Sequence, residues 1–463
     1  MPNLSHLTQA LRRQGIAVSY ERGIYRLRSA TSEAQVLMPA SLPLPSRAVE
    51  QLLSFADVRR PSGEPTVYCA CAMPDFHPGE LAPVGSVVAT EPDFVIPQAI
   101  GTDINCGMRL LTTGLSRERF VGAQESLIEN LKTSLLVGAR NIPVPPQAFQ
   151  ALFDEGPAPF LSALAPEGLW SAVDRERLHR ELTDCIGLST LHSSSCYVPD
   201  SFFDRDRKLI RDAQFGTVGS GNHFVEFAVC SEITDRTRAW QVGMARDEVV
   251  VLIHSGSRTV GRYVGSRWMA KARESWPTGL AHPRSGLYGL SGPAAREYLI
   301  AMGAAARYAW ANRVALTELV RAGLRAAFNT DSSRLIVDVP HNIVLEEEGL
   351  NVHRKGSTPA HAGQLALIPG SMGTSSYLLE GQGLPEWLAS CSHGAGRAVR
   401  RQQMRRAARE QGGAWRCVTL REARAIEEAP SAYKPIEEVI RAQLAAGLVR
   451  EVARFSPMLT FKA

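Results

Sequence analysis

The sequence has no apolar run near the roughly 20 residues that a bilayer crossing demands, so a membrane-spanning helix is not expected. The leading stretch MPNLSHLTQALRRQGIAV carries charge early and has no hydrophobic stretch of the kind a secretory signal needs. The 8 cysteines have no framework spacing, which in a long chain without such a signal favours reduced thiols over disulfides. These absences predict a cytoplasmic protein. There is no internal repeat, no low-complexity tail and no linker strong enough to cut the chain. Neither GxGxxG nor GxxxxGKS is present, which removes the Rossmann and P-loop fingerprints. Histidine is scarce, 11 in 463 residues, and its placement therefore carries information.

What remains is an ordinary globular composition, 44% hydrophobic and 21% charged, with a net charge of +5 that permits a polyanionic partner without demanding one. Residues 1–60 read as a leading segment, helix-like over LSHLTQALRRQG and strand-like over VSYERGIYRLRS. Prolines and small residues between Ile142 and Pro166 suggest a surface excursion. WPTGLAHPRSGLYGLSGP leads into an Ala-rich helix from about Ala294 to Phe328, whose Asn312 and Arg313 could face a site. Runs such as EVVVLIHSG and SRLIVDVPHN end in polar or glycine residues, where mixed α and β proteins place their chemistry.

Five segments combine metal-type ligands with glycine or asparagine. GTDINCGMRLL holds Asp103 and Cys106, and GTVGSGNHFVEF holds Asn222, His223, Phe224 and Glu226. IHSGSRTVG contains His254, VPHNIV contains His341 and Asn342, and SCSHGAGRAVRR contains His393. A lone histidine at a strand end is usually structural. Four of the 11 falling in such loops, with a carboxylate and a thiol, form a transition-metal donor set. Ligand type alone favours zinc. GSGNHF and SHGAGR also suit phosphate, because glycines let backbone N–H groups wrap an anion.

Together MPDFHPGE, GTDINCGMRLL, GTVGSGNHFVEF, IHSGSRTVG, HNIV, RKGST, IPGSMGTSSY, SCSHGAGR and AYKPIEEVI resemble the RtcB RNA ligases, in that family's order, from about Met73 onward. The resemblance implies an α+β (mixed α/β) fold: one large body whose β-rich core carries the metal and GTP site, flanked by helices. Residues 1–60 would be a divergent N-terminal segment before a ligase domain over 61–463. It implies two manganese ions in place of zinc, held by Asp103, Cys106, His223, His254 and His341, with Cys106 bridging. It makes His393 the guanylylated nucleophile. It assigns Asn222, Phe224, Glu226, Ser371, Ser376, Tyr377, Gly394, Ala395, Gly396 and Lys434 to GTP. The implied reaction joins RNA 3′-phosphate or 2′,3′-cyclic phosphate ends to 5′-hydroxyl ends through an RNA(3′)pp(5′)G end, in tRNA splicing or RNA repair. An archease-like activator is a further implied partner.

The loop HPGELAPVGS departs from the family pattern at Pro78 and Glu80. Arg397, Arg401, Arg405 and Arg409 would make a cationic stripe for RNA if helical, or else a solvated face. Arg354 and Lys355 are a second anion-binding candidate. Two other readings stay open: a binuclear metal phosphodiesterase or nucleotidase, and a non-catalytic RNA-binding rescue factor on a ligase scaffold.

Overall fold

The computed structural model describes residues 2–204, 206–399, 401–404, 415–422 and 426–463. Among them two large sheets form the core of an α+β fold, with seven and eight strands. In the eight-stranded sheet the order runs Arg334–Pro340, Gly107–Ser116, Glu248–Ser255, Phe224–Ile233, Val449–Lys462, Ser376–Gly381 and Leu365–Ile368, and Arg416–Thr419 pairs alongside Val449–Lys462. Its inner strands are apolar on both faces because both faces are covered. Val249, Val251 and Ile253 join the core beneath the helices, while Val250 and Leu252 join a separate cluster on the opposite face.

The seven-stranded sheet begins with the hairpin Ala17–Glu21 and Ile24–Arg28, continues through Glu33–Leu37, Val67–His77, Val84–Thr90 and Leu350–Lys355, and ends at Asn342–Glu347. Glu33–Leu37 joins Val67–His77 in parallel, and helix Ser46–Ala56 buries Ala48, Val49, Leu52, Leu53 and Phe55 in the same cluster as Phe76 and Ile436. Residues 17–56 thus share a core with later parts of the chain.

The Ala-rich helix spans Gly292–Phe328 and ends on Asn329 in the left-handed conformation, an ordinary helix stop. It is buried on nearly all sides, so its polar residues must be paired. Arg313 binds Asp338 twice, and Arg109 binds the same carboxylate from the sheet. Arg321 contacts Glu318 and Glu181.

The proline-rich stretch 142–166 is not a surface excursion. Pro146 and Pro157 open two helices, Pro146–Asp154 and Pro157–Ala163, whose Phe149, Leu152, Phe153, Phe160 and Leu161 are core residues. Proline at a helix start costs no hydrogen bond, so these prolines mark helix entry. No helix among the described residues is long and apolar enough to cross a membrane.

Candidate metal centre and nucleotide cavity

Four strand ends meet at one rim of the eight-stranded sheet. Cys106 precedes the strand that starts at Gly107, and His223 precedes the one that starts at Phe224. His254 lies next to the end of Glu248–Ser255, and Pro340 closes Arg334–Pro340. The register seats Gly107 opposite Ser255 and Pro340, and Phe224 opposite His254. His341 is the single residue at which the chain steps from one sheet into the other, since Asn342–Glu347 belongs to the second sheet.

That geometry brings the donors together. The Cys106 Sγ lies 3.1 Å from Nε2 of His223 and 3.1 Å from Nε2 of His254. His254 Nε2 is 3.2 Å from His341 Nε2, and His223 Nε2 is 3.1 Å from Asp103 Oδ2. Cys106, His223 and His254 are buried with their donor atoms mutually close, a set that could hold a metal ion. Burial pushes the Cys106 thiol well above its usual range, and the Asp103 carboxylate pushes it further. Burial also keeps His254 and His341 neutral. Neutral imidazoles turn lone pairs to a cation, and a nearby cation would make the thiol a thiolate. His254 Nδ1 stands 3.1 Å from the Asn222 carbonyl, which places its proton there and leaves Nε2 for the cluster. The residues present therefore fit a metal centre.

Asn312 and Arg313 hold the backbone behind this rim. Arg313 donates to the carbonyls of Asn105 and Ser255, 2.8 and 3.1 Å away, each next to a donor residue. Asn312 donates to Ser255 Oγ and the Thr217 carbonyl. Lys355 donates to the Ile100 carbonyl at 2.7 Å and sits where its charge acts on Cys106 and Asp103. Arg354 is not an anion site: it is fully buried, bound to both Glu347 oxygens and to Ser390 Oγ.

His393 follows the short strand Ser390–Ser392, and its ring centroid lies 4.9 Å from that of His341. Its Nδ1 is 2.7 Å from Oδ2 of the fully buried Asp75. The backbone N–H of His393 donates to the same oxygen. Burial alone would raise the Asp75 carboxyl; the contact with His393 holds it below its usual value. Gly396, at φ +76°, is required here: a Cβ would stand 2.1 Å from the Asp75 carbonyl oxygen. Lys434 donates from Nζ to the carbonyls of Pro74 and Phe76, bracketing Asp75, while its N–H donates to the Gly396 carbonyl. Burial lowers its ammonium to about 8.

A cavity opens beside His393, lined also by Gly394, Ala395, Gly396, Asn222, Phe224, Glu226, Ser371, His254 and His77. Glu226 is buried, accepts from Thr460 Oγ1 at 2.7 Å, and is pushed by burial up to about 7. Ser376, Tyr377 and Lys434 do not line it. Ser376 Oγ accepts from the Gly370 N–H and steadies the turn, and Tyr377 is a core residue. Asp75 and His77 were not singled out by sequence reasoning. The signal available was a carboxylate inside the apolar run YCACAMPDF, which burial obliges to be paired. Arg397 is not part of a helical stripe. It precedes the helix Arg401–Met404, bridges Tyr433, and binds Glu428 and the Glu427 carbonyl. The side chain of Arg401, and Arg405 and Arg409 altogether, lie outside the described residues.

A family model described as "tRNA-splicing ligase RtcB" matches residues 57–463. The RNA-splicing ligase RtcB of Mycobacterium tuberculosis is 33% identical, covering 85% of this chain and 96% of its own. The tRNA-splicing ligase RtcB of Aeropyrum pernix is 32% identical across 83% of this chain and 86% of its own. That of Nanoarchaeum equitans is 32% identical across 84% and 87%.

Proposed function

The chain belongs to the RtcB family, and from that we propose that it is an RNA ligase that joins 3′-phosphate or 2′,3′-cyclic phosphate ends to 5′-hydroxyl ends, using GTP and two manganese ions. The observation that carries this reading is the Asp75–His393 pair set beside the Cys106, His223, His254 and His341 cluster. A metal phosphodiesterase would need the cluster but not a histidine oriented by a buried carboxylate.

Asp103, Cys106, His223, His254 and His341 would hold the ions, which when bound neutralise phosphate charge. Asp75 keeps the proton on His393 Nδ1, so Nε2 carries the lone pair. Nε2 forms the bond to the α-phosphorus of GTP as the bond to the pyrophosphate oxygen breaks. Asp75 stabilises the positive charge that develops on the imidazole. An RNA 3′-phosphate oxygen then displaces His393 from phosphorus, giving the RNA(3′)pp(5′)G end. The 5′-hydroxyl of the second strand finally attacks the 3′-phosphorus and releases GMP.

The Gly394–Gly396 turn offers backbone N–H groups to the phosphates. Phe224 packs on the guanine and Glu226 accepts from its N1–H and 2-amino group. Ser376, Tyr377 and Lys434 support this wall from behind. An archease-like activator and tRNA halves or damaged RNA as substrates belong to the same reading. So does the cytoplasm, where a reduced Cys106 is retained.

The test is ligation of two model RNA strands with defined ends. Joining that needs a 3′-phosphate or cyclic phosphate, a 5′-hydroxyl, GTP and manganese is expected; joining of 5′-phosphate ends with ATP would overturn the proposal.

A further inference from the structure

The strand Val67–His77 brings Asp75 and His77 to the candidate site at one end, and at the other it holds Tyr68, 79% exposed. A backbone feature produces that exposure. Val67 pairs with Thr90 and Cys69 with Ala89, so Tyr68 is the extra residue of a bulge, and bulges re-aim side chains. On its other side the strand meets Glu33–Leu37 only at Cys71 and Ala72. The two strands part toward Tyr68 and leave a cleft of about 560 Å³.

Arg12, Arg26, Arg28 and Tyr68 line that cleft with Glu33. Arg26 and Arg28 alternate with the buried Tyr25 and Leu27 on strand Ile24–Arg28, so both guanidinium groups stand on the outer face. Glu33 is the carboxylate among them, 3.7 Å from Arg28. Three cations against one anion, around an exposed ring, match the way single strands are gripped: phosphates meet cations and a base of any kind stacks on the aromatic face. An acidic protein segment would use the arginines but gain little from Tyr68.

We propose that this cleft holds single-stranded RNA, upstream in the strand whose 3′ end reaches His393; the directional part rests on the ligase reading above. The arginines precede residue 57, where the family match begins, whereas Tyr68 lies within it. Asp75 lies seven positions beyond Tyr68, at most about 23 Å along an extended strand. A strand stacked at about 3.4 Å per nucleotide crosses that in roughly seven nucleotides. A five-nucleotide strand, about 17 Å when stacked, spans less than that path.

The experiment uses the full chain with manganese and a fluorescein-labelled 20-nucleotide oligouridylate, comparing wild type with Tyr68→Ala and with Arg26→Ala/Arg28→Ala. All three side chains are exposed, so the variants keep the fold. Tyr68→Ala is expected to weaken oligonucleotide binding about tenfold, within the range for one lost stacking contact. The double variant should flatten the slope of log K against log salt by about 1.4, two single-strand phosphate contacts. Single-turnover ligation of a 20-nucleotide 3′-phosphate strand should need correspondingly more RNA, while a five-nucleotide strand and GTP labelling stay unchanged. Unchanged affinity and salt slope overturn the proposal, as does displacement of polyglutamate alone, which would make the cleft a protein-binding surface. If wild type ligates nothing yet the variants lose oligonucleotide, the ligase reading falls and the RNA cleft stands.

Discussion

Asp75 and His393 lie 318 positions apart in the chain and 2.7 Å apart in space, the carboxylate buried and the imidazole at the edge of the cavity. The pairing orients the His393 ring, with Nδ1 turned to the carboxylate. Asp75→Asn keeps the size but can favour the other tautomer. It is expected to slow formation of the GMP adduct by up to about 10⁴-fold, the loss seen when the buried Asp of a Ser-His-Asp triad becomes Asn. Metal content should not change. Rapid-quench measurement with labelled GTP checks this, and a wild-type rate would remove Asp75 from the account.

The donor cluster makes a separate claim. Cys106→Ser replaces a potential thiolate with a hydroxyl that stays neutral, and Asp103→Ala removes the carboxylate beside His223. Both should lose metal and all nucleotidyl transfer. Elemental analysis finding full manganese occupancy in both variants would refute a shared site.

Glu226 predicts a pH dependence. Its folded value, about 7, lies above the ordinary 4.5 because burial disfavours the charge. The stability it contributes is therefore complete below about 4.5 and lost as pH rises through about 7. Glu226→Gln, which has no charge to bury, should raise Tm by a few degrees at pH 8.5 and hardly at all at pH 5. Guanine needs the ionised form, so GTP affinity in wild type should rise between pH 6 and 8. In Glu226→Ala the preference for GTP over ATP should shrink by about 1–3 kcal/mol; an unchanged ratio in labelling competition excludes Glu226 as the base reader.

Arg313 anchors the rim from the long helix through Asp338 and two carbonyls. Arg313→Met leaves that buried carboxylate with Arg109 alone and should cost about 3–5 kcal/mol. Metal affinity should fall with it, and calorimetry of the metal-free and manganese-loaded protein separates the two effects.

The convergence of Asp103, Cys106, His223, His254 and His341 was legible in the sequence because each sits in a short glycine- or asparagine-marked strand end, a local signal. Asp75 was less so. Its partner arrives from the other end of the chain, through a register between strands that local pattern does not reveal. The Ile142–Pro166 stretch misled for a different reason: Pro146 and Pro157 occupy helix starts, where proline is favoured, and the apolar spacing behind them is core. Arg354 and Arg397 looked like free cations because Glu347 and Glu428, which bind them, approach only in the folded chain. The α+β body with its β-rich core was anticipated from the family resemblance, not from periodicity.

The central claim is that His393 is the nucleophile, and the most direct measurement is incubation of wild type and His393→Ala with α-labelled GTP and manganese. Wild type should carry an acid-labile, base-stable label on the peptide containing His393. His393→Ala should carry none while keeping nearly all its metal. A label retained by the variant, or mapped to another residue in wild type, would contradict the account.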